Sequence, residues 1–522
     1  MDVQNFHPAG DTDQLCRFLT SPQAYPEPTT QVKRLETHIS HVFVTDRFAY
    51  KLKKPVRFDF LDFSTVDMRQ QACLAELQLN RRLASDVYLD VLPITRSATR
   101  AFQIGGDGEV VDWIVKMRRI NDSDTLLAAI RQRTVSSTAI ASLASLLATF
   151  YRNQPPISLS ADDYRAHIEQ HVRGNLTELL CDEHRFSPHE VRRIHSAQLI
   201  FLSLHPDIFD ARIAADRVVD GHGDLRPEHI YLTTPPVIID CIEFNAEFRQ
   251  IDVLDELSFL ETECTLLHAE ETGTAIREGC SAILGDQPPE KLAAFYKSYR
   301  ACVRAKVAVL RARQLVPSMA EEQLALARQY LELADQFDQA LGPPLLLLVR
   351  GLSGTGKSTI AQALANQLEI EMLQTDTVRQ ELVNAGRLTG GIQTAKYSAE
   401  NRQRVYDEML SSAEQLLVQR SSVILDGTFL SRNQRDLVAQ LAKRCHARWL
   451  IIHCQCPFEV AQQRIAARLQ RGTSLSEARP ELIEEQLIAD EHDLSEWPAM
   501  QCDTTRAVPV LVQEIVERLR RV

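Results

Sequence analysis

A glycine-rich run near residue 350 constrains the fold of this 522-residue chain more than any other stretch. Residues 351–359 read Gly-Leu-Ser-Gly-Thr-Gly-Lys-Ser-Thr and fit the pattern G-x-x-x-x-G-K-S. The continuous apolar run 345–349 precedes them, as expected of a buried parallel strand, and a helical pattern over 360–368 follows. A strand, loop and helix in this order predict a phosphate-binding loop rather than an ordinary glycine-rich turn.

The chemistry of phosphate binding explains the residue types in this loop. Glycines let the chain curl so that backbone N–H groups point at phosphates, and the following helix adds positive potential at its N-terminus. We expect Lys357 to reach the β- and γ-phosphates of ATP and Ser358 to bind Mg²⁺. The predicted ATP-binding residues of the loop are Gly351, Leu352, Ser353, Gly354, Thr355, Gly356, Lys357, Ser358 and Thr359.

Three polar residues farther along extend this predicted site. Asp376 follows the presumed second strand, where it could act as a general base on an acceptor hydroxyl. Arg379 lies three residues on, so it faces the same way on a helix and could hold an acceptor phosphate or carboxylate. Asp426 ends an apolar strand, as in a Walker-B strand whose carboxylate helps to hold Mg²⁺. The structural alternatives are a helix cap, a solvated arginine and a turn aspartate.

Arg464, Arg468 and Arg471 recur at spacings of four and three, so a helix would place them on one face. They could lie over ATP and neutralise the transferred phosphoryl charge, although a solvated helix face is the alternative. With the P-loop and the Asp376-x-x-Arg379 pair, these arginines make residues 344–522 resemble the small-molecule and polynucleotide kinases of the P-loop class. The resemblance implies ATP and Mg²⁺ as cofactors.

A second motif lies in the N-terminal half. Residues 221–230 read Gly-His-Gly-Asp-Leu-Arg-Pro-Glu-His-Ile, and Asp240 follows a predicted strand pair over 230–239. One aspartate before a strand pair and another after it is the layout of the protein-kinase fold. The residues resemble the aminoglycoside phosphotransferase family, and 30–265 resembles bacterial domains of this kind that are fused to a P-loop domain. The resemblance implies that Asp224 is the base and that Asp240 holds Mg²⁺.

The beginning of this half fits the same resemblance. Lys51 matches the lysine that contacts the α- and β-phosphates, and Glu76 matches its ion-pair partner. Two departures stand out. His229 occupies the position of a metal-binding asparagine, although imidazole is a poor magnesium ligand. No glycine-rich loop precedes Lys51; residues 37–41 lie where that loop would be.

These patterns predict two domains of the α/β and α+β classes. Residues 1–342 would form a bilobal, protein-kinase-like domain, with an N-lobe over about 30–120 and a C-lobe over about 121–335. Residues 343–522 would form a P-loop domain built on a parallel sheet, because short apolar strands alternate with helical segments there. The long helical pattern over 319–341 ends at Gly-Pro-Pro, which suits a boundary.

Composition excludes several other classes. No apolar run approaches the ~20 residues that span a bilayer, and the first residues lack a signal-peptide pattern, so the expected location is cytoplasmic. The eleven cysteines have no zinc-site spacing. Residues 344–522 carry 21 Lys and Arg against 22 Asp and Glu, and the remainder carries the other 11 charges of the net −12. This balance disfavours a broad nucleic-acid surface.

The leading hypothesis is a bifunctional kinase with two nucleotide sites. Each would transfer the γ-phosphoryl group of ATP to a hydroxyl of a small molecule, with Asp224 and Asp376 as the two bases. One alternative is a P-loop ATPase or kinase that is regulated by a non-catalytic, kinase-shaped binding module. Another is a polynucleotide 5′-hydroxyl kinase in the C-terminal half. Fold likeness leaves the acceptors open.

Overall fold

The computed structural model describes residues 9–37, 39–58, 61–181, 186–388, 398–471 and 481–522. The chain forms two compact units, and each combines two stretches of sequence. The first unit is Met1–Ser160 with Ala211–Arg300, and the second is Ala161–Asp210 with Ala301–Val522. These units differ from the predicted division after residue 342. The compact units describe which residues pack together. The division after residue 342 concerns domains along the sequence, and it stays a prediction.

The strands and helices are numbered here in chain order. The strands are β1 (Lys33–Glu36), β2 (Ser40–Val44), β3 (Phe48–Lys53), β4 (Arg57–Phe58), β5 (Leu61–Asp62), β6 (Tyr88–Arg96), β7 (Phe102–Ile104), β8 (Glu109–Arg118), β9 (Val218–Asp220), β10 (Ile230–Tyr231), β11 (Val237–Ile238), β12 (Gln250–Asp252), β13 (Leu345–Arg350), β14 (Glu371–Gln374), β15 (Val423–Asp426), β16 (Arg448–Gln455) and β17 (Ala499–Asp503). The helices are α1 (Ala9–Thr20), α2 (Val66–Ala84), α3 (Leu126–Gln132), α4 (Ser137–Arg152), α5 (Ala161–Leu180), α6 (Pro188–Leu204), α7 (Pro206–Ala214), α8 (Val253–Leu266), α9 (Glu270–Leu284), α10 (Glu290–Ala312), α11 (Pro317–Asp338), α12 (Lys357–Leu368), α13 (Thr375–Asn384), α14 (Ala399–Val418), α15 (Arg432–Arg444), α16 (Phe458–Arg471), α17 (Glu481–Ala489) and α18 (Val508–Leu519).

The first unit contains a six-stranded antiparallel sheet in the order β1-β2-β3-β8-β6-β7. The apolar runs 42–44 and 49–52 flank the polar turn 45–47, a pattern that predicts a hairpin, and β2 and β3 do pair antiparallel around that turn. The sheet leads into α2, whose first turn is capped by Thr65, because its hydroxyl accepts the Met68 N–H at 3.2 Å. This hairpin and helix carry Lys51 and Glu76.

Pro93 lies in β6, within the six-stranded sheet. Its missing N–H predicts that its strand lies at a sheet edge, but β6 lies between β8 and the short strand β7. The pairing with β7 covers only Ile94 to Arg96. Pro93 therefore precedes the paired residues on that side, and no ladder hydrogen bond needs its nitrogen.

Two small antiparallel pairs, β10 with β11 and β12 with β9, lie in the other part of the first unit. The strand pair predicted over 230–239 is confirmed, with Ile230 opposite Ile238. Strands β9 and β10 bracket the segment 221–229, and β11 ends just before Asp240, so these strands position the second motif.

The second unit contains a five-stranded parallel sheet in the order β14-β15-β13-β16-β17, which confirms the predicted parallel sheet. The central strand β13 is buried along its whole length. Its odd-numbered apolar residues face a core formed with α12, α18 and Leu204 of α6. Its even-numbered leucines face a core formed with α13, α14 and α15. Each leucine so buried contributes about 1.5–3 kcal/mol relative to exposure.

Helix α6 packs in one of these cores, although a long stretch of sequence separates it from the strands of the parallel sheet. Leu204 is 6% exposed among residues of β13, α12 and α18. The Ser196 hydroxyl donates to the carbonyl of Leu368 at 2.9 Å, at the end of α12. The parallel sheet therefore depends on a helix from a separate stretch of the chain.

Across the described residues, we find no helix whose length and hydropathy would let it cross a membrane.

Candidate functional site

The loop after β13 has a backbone that only glycine can follow at its first and fourth positions. Gly351 has φ +144°, and a Cβ there would lie 2.3 Å from the carbonyl oxygen of Cys454. Gly354 has φ +80°, and a Cβ there would lie 2.6 Å from the carbonyl oxygen of Ala461. Side chains are excluded by both the conformation and the space. The loop thus presents backbone N–H groups just before α12, as a phosphate-binding loop requires.

Lys357 is the first residue of α12, and its Nζ donates to the carbonyl oxygen of Leu352 at 2.8 Å. Burial lowers the pKa of Lys357, while the negative charges of Asp426 and Asp376 act in the opposite direction. No carboxylate among the described residues pairs with this ammonium within 4 Å. The lysine is therefore a desolvated cation whose charge is available to an anion.

Asp426 ends β15 at the carboxyl edge of the parallel sheet. It pairs in register with Val349 of β13 on one side and with Gln374 of β14 on the other. Its side chain is buried, and Oδ2 accepts a hydrogen bond from Gln374 Nε2 at 3.0 Å. Oδ1 has no hydrogen-bond partner among the described residues. A buried carboxylate oxygen with a free lone pair, facing the P-loop edge, suits a hard divalent cation such as Mg²⁺.

Asp376 and Arg379 lie in the first turns of α13 and form an ion pair. Arg379 Nη1 lies 2.5 Å from Asp376 Oδ1. The structure thus brings together the two residues that the sequence assigns to the acceptor, and it orients the carboxylate through the guanidinium. The roles of base and anchor stay predictions.

The predicted arginine face on α16 is described at two of its three positions. Arg464 donates to the hydroxyl of Thr504 at 3.0 Å and to its carbonyl at 2.8 Å, and Thr504 in turn donates to the Thr355 carbonyl at 2.7 Å. Arg464 thus stabilises the P-loop indirectly, through Thr504. Arg468 has buried Nε and Nη2 atoms with no hydrogen-bond partner in the described part of the chain. The side chain of Arg471 lies outside the described residues.

Helix α17 contributes contacts that the sequence did not predict. Gln486 Oε1 accepts the Ser353 N–H at 2.8 Å, and Gln486 Nε2 donates to Ser353 Oγ at 3.1 Å. Just past the helix, Asp490 pairs with Arg350, the last residue of β13, and both side chains are almost completely buried. A lone glutamine in a short helix carries no local signal, so only the tertiary structure shows its position.

In the first unit, a buried charge network surrounds the predicted lysine and glutamate. Glu76 is fully buried and accepts from Lys51 at 2.7 Å and from Lys53 at 2.6 Å. Each lysine has a second carboxylate: Lys51 contacts Asp240 at 2.6 Å, and Lys53 contacts Glu243. Burial alone raises the pKa of Glu76, but the charges of the two lysines outweigh it and hold that pKa below its usual value. Lys53 was missed, although its spacing of two from Lys51 puts both on one face of β3.

The candidate base Asp224 lies beside Arg226 and His229. Arg226 Nε is 3.1 Å from Asp224 Oδ1. His229 Nδ1 lies 2.9 Å from the Asp224 carbonyl oxygen, and His229 Nε2 lies 3.1 Å from Arg226 Nη2. A carbonyl only accepts and a guanidinium only donates, so Nδ1 carries the proton and Nε2 accepts. Both ring nitrogens are thus engaged in hydrogen bonds, and the metal role of His229 stays a prediction.

The loop at 221–224 is held by a glutamate that the sequence analysis did not single out. Glu256, fully buried in α8, accepts the His222 N–H at 2.9 Å, the Gly223 N–H and the Tyr151 hydroxyl at 2.8 Å. A carboxylate that accepts several N–H and O–H groups fixes the path of the loop. Glu256 therefore positions Asp224 through the backbone.

Asp240 has φ +66°, an uncommon backbone conformation for a residue with a side chain. Its N–H donates to the Tyr88 hydroxyl at 3.3 Å, and the next N–H, of Cys241, donates to Asn80 Oδ1 at 2.9 Å. Burial raises the pKa of Asp240, but the charge of Lys51 more than offsets this and holds that pKa well below its usual range. The carboxylate is thus ionised, 44% exposed and available to a cation.

A family described as an AAA domain matches residues 346–489, from the second residue of β13 to the end of α17. Together with the strand, loop and helix geometry, this match identifies the region as an AAA-type P-loop domain.

Mycobacterial relatives match most of the chain. The uncharacterized protein Rv2004c of Mycobacterium tuberculosis strain H37Rv is 34% identical over 451 residues, covering 85% of this chain and 87% of its own. An uncharacterized protein of Mycobacterium bovis matches with the same identity and coverage.

Several solved kinase structures each match about a third of this chain. A sugar kinase from Janibacter sp. is 20% identical, with a TM-score of 0.27 over 34% of this chain and 94% of that chain. A gluconokinase from Sinorhizobium meliloti is 18% identical, with a TM-score of 0.25 over 34% and 93%. The APS kinase of Mycobacterium tuberculosis, in complex with AMPPNP and APS, is 18% identical, with a TM-score of 0.25 over 34% and 98%. TM-scores this low carry no argument about fold or function.

Proposed function

This chain belongs to the same family as the uncharacterized mycobacterial proteins, and we propose that its P-loop site transfers the γ-phosphoryl group of ATP to a hydroxyl of a small molecule. The observation that carries the proposal is a set of opposite charges left unsatisfied at one edge of a parallel sheet. Lys357 and Arg468 are cations without a carboxylate partner among the described residues, and Asp426 keeps a free buried oxygen. A magnesium–triphosphate complex carries the complementary charges.

The residues of this site take separate roles in the transfer. The loop N–H groups and Lys357 bind the phosphates, and Arg468 supplies N–H groups to the phosphoryl oxygens. Ser358 and Asp426 would hold Mg²⁺, which neutralises phosphate charge when bound. Asp376 accepts the proton of the attacking hydroxyl, and Arg379 orients Asp376. Because residues 344–522 are close to neutral, a small-molecule acceptor fits better than a polynucleotide 5′ end.

ATP turnover by the full chain tests this proposal, measured against a pooled library of hydroxyl-bearing metabolites, aminoglycosides and 5′-hydroxyl oligonucleotides. We expect a library member to be phosphorylated in a reaction that Lys357→Ala abolishes and that the exposed control Lys443→Ala leaves intact. Transfer to oligonucleotides alone would favour polynucleotide kinase activity instead. ATP turnover that is indifferent to Lys357→Ala would overturn the proposal.

A second candidate function is phosphoryl transfer at the site in the first unit, with Asp224 as base and Asp240 as the magnesium ligand. What favours it is the contact of Lys51 with both Glu76 and Asp240, because this lysine links the strand, the helix and the second aspartate that the resemblance to aminoglycoside phosphotransferases implies. Asp240 has a side chain that is 44% exposed and would hold the metal there. The alternative is a module that binds nucleotide without transferring phosphate.

The second candidate is tested in the Lys357→Ala background, where the P-loop site is silent. Acceptor-dependent ATP turnover that remains there and is lost on adding Asp224→Asn supports the transfer. Nucleotide binding without any turnover in that background would identify a binding module instead.

A further inference from the structure

Helix α17 and Asp490, the residue just after it, contact the P-loop region through three side chains. Ile483 and Gln486 are spaced by three, which places them on the same side of the helix, and Asp490 follows its last residue. Ile483 is 1% exposed and packs in a cluster that includes Leu352. The opposite side of the helix faces solvent, where Ile488 is 88% exposed. Three contacts thus hold this segment against the P-loop region. They are the apolar packing of Ile483, the amide hydrogen bonds of Gln486 and the ion pair of Asp490 with Arg350.

The ion pair of Asp490 with Arg350 anchors the chain just after the C-terminal end of α17. Arg350 has no exposed side-chain surface, and the Asp490 side chain is 2% exposed. An ion pair so deeply buried is costly to separate, because either partner alone would be an uncompensated charge. The amide of Gln486 is therefore held at a fixed place beside the loop.

The hydrogen bonds of Gln486 fix the direction of a hydroxyl in the loop. The Ser353 N–H can only donate, so the amide oxygen must face it, and the amide nitrogen must then face Ser353 Oγ. Because Oγ accepts this bond, the hydroxyl hydrogen of Ser353 points elsewhere. No acceptor for that hydrogen is found among the described residues.

We propose that Gln486 is a positioning residue of the P-loop site, which turns the Ser353 hydroxyl into a hydrogen-bond donor to the terminal phosphoryl group of bound ATP. Ser353 is the third residue of a loop whose N–H groups face phosphates, and it lies between two glycines of that loop. Gln486 acts through Ser353 and not on the nucleotide. The inference rests on the proposed function of this site.

The variant Gln486→Glu tests the proposal in the full chain. A carboxylate can only accept, so it still takes the Ser353 N–H but also captures the hydroxyl hydrogen, which reverses the direction of the hydroxyl. We expect kcat for ATP turnover to fall about tenfold or more, the effect of one misdirected hydrogen bond to a charged group. Ser353→Ala should give a similar loss. In the Ser353→Ala background, Gln486→Glu should lower kcat no further, because no hydroxyl is left to redirect.

Two controls separate positioning from packing. Gln486→Met removes the amide without adding charge; it should weaken the binding of MgATP but leave that of MgADP, which lacks the terminal group, within about twofold. Ile488→Ala, on the exposed side of α17, should change neither. Two results would overturn the role of Gln486 without touching the proposed function. One is an equal loss of affinity for MgADP and MgATP in Gln486→Met. The other is a fall in kcat on Gln486→Glu that is as large in the Ser353→Ala background as in the wild type. Wild-type protein that neither binds nor turns over ATP in a manner dependent on Lys357 would overturn the proposed function as well.

Discussion

The two candidate sites satisfy their charges in opposite ways. In the first unit, Lys51 and Lys53 share the buried carboxylate of Glu76, and each has a second acidic partner. In the second unit, Lys357 donates to a carbonyl, and Arg468 has two buried nitrogen atoms without a partner among the described residues.

This difference indicates that the charges of the first site stabilise the fold, whereas those of the second site are left to bind a ligand. A closed network of ion pairs holds strands and helices in place, and a phosphate that enters it must exchange with an existing partner. Buried cations without carboxylates add no such support, and they gain a partner when an anion binds. We therefore expect charge removal in the first unit to reduce stability and charge removal in the second unit to reduce activity.

The largest expected effect is on stability in the first unit. Glu76→Gln leaves two buried lysines with one acidic partner fewer each, which costs about 3–5 kcal/mol in the free energy of unfolding. Urea denaturation measures this loss. The control Glu109→Gln removes a carboxylate that is 74% exposed, at 3.5 Å from Arg96, and should cost about 0–1 kcal/mol. Similar small losses for both variants would contradict the comparison.

The second effect is on activity in the second unit. Lys357→Met removes a cation whose pKa is lowered by burial, so the melting temperature should stay the same or rise. ATP turnover at the P-loop site should fall about 10²- to 10³-fold, because a donor to developing charge is lost. Lys51→Met is the matched variant and should lower the melting temperature. The comparison breaks if Lys357→Met proves the more destabilising of the two.

A third, smaller effect concerns Arg468. Arg468→Ala should reduce ATP turnover about tenfold while leaving the urea midpoint unchanged. Its Nε and Nη2 atoms have no partner within the described ranges, so we expect them to bind phosphate rather than to support folding. Gln463→Ala, an exposed change on the same helix, is the control. A drop in stability without a drop in turnover would show that Arg468 is structural.

The smallest effect is a shared sensitivity to acid. Burial lowers the pKa of His195 in the second unit to about 4, and it does the same for His41 in the first. An exposed histidine has a pKa of about 6.5, so between these values the folded protein binds fewer protons than the unfolded chain. The free energy of unfolding should therefore fall as pH drops from 6.5 toward 4, by about 1–2 kcal/mol per histidine at pH 5.

The pH dependence is measured by urea denaturation at several pH values. His195→Leu should flatten the slope between pH 6.5 and 4, whatever it does to stability at neutral pH. A slope that His195→Leu leaves unchanged would show that this histidine does not contribute. Flattening by His41→Leu as well would show that the two units differ in their ion networks and not in their response to acid.

The parts of the structure that local pattern determines could be predicted from the sequence. The strand, glycine loop and helix around Lys357 form a contiguous signal, and the hairpin that carries Lys51 has its own turn. Residues that act across long separations could not be predicted in this way. Gln486 reaches Ser353 from 133 positions away, and nothing in its neighbourhood distinguishes it from a solvated glutamine.

Glu256 is an intermediate case. A carboxylate within the apolar pattern of α8 signals a buried partner, but the sequence does not reveal that the partner is the loop before Asp224. The grouping of 161–210 with the P-loop region was likewise invisible, because an amphipathic helix does not specify which core it joins.

The contribution of α6 to the core beneath β13 has a consequence for biosynthesis. Leu204 leaves the ribosome well before Leu345, and at roughly 5–20 residues per second the interval is on the order of ten seconds. During that time the apolar side of α6 has no sheet to cover it. A nascent chain stalled within this interval should therefore be a substrate for chaperones, and it should become resistant to proteolysis only after the last strand of the parallel sheet has emerged.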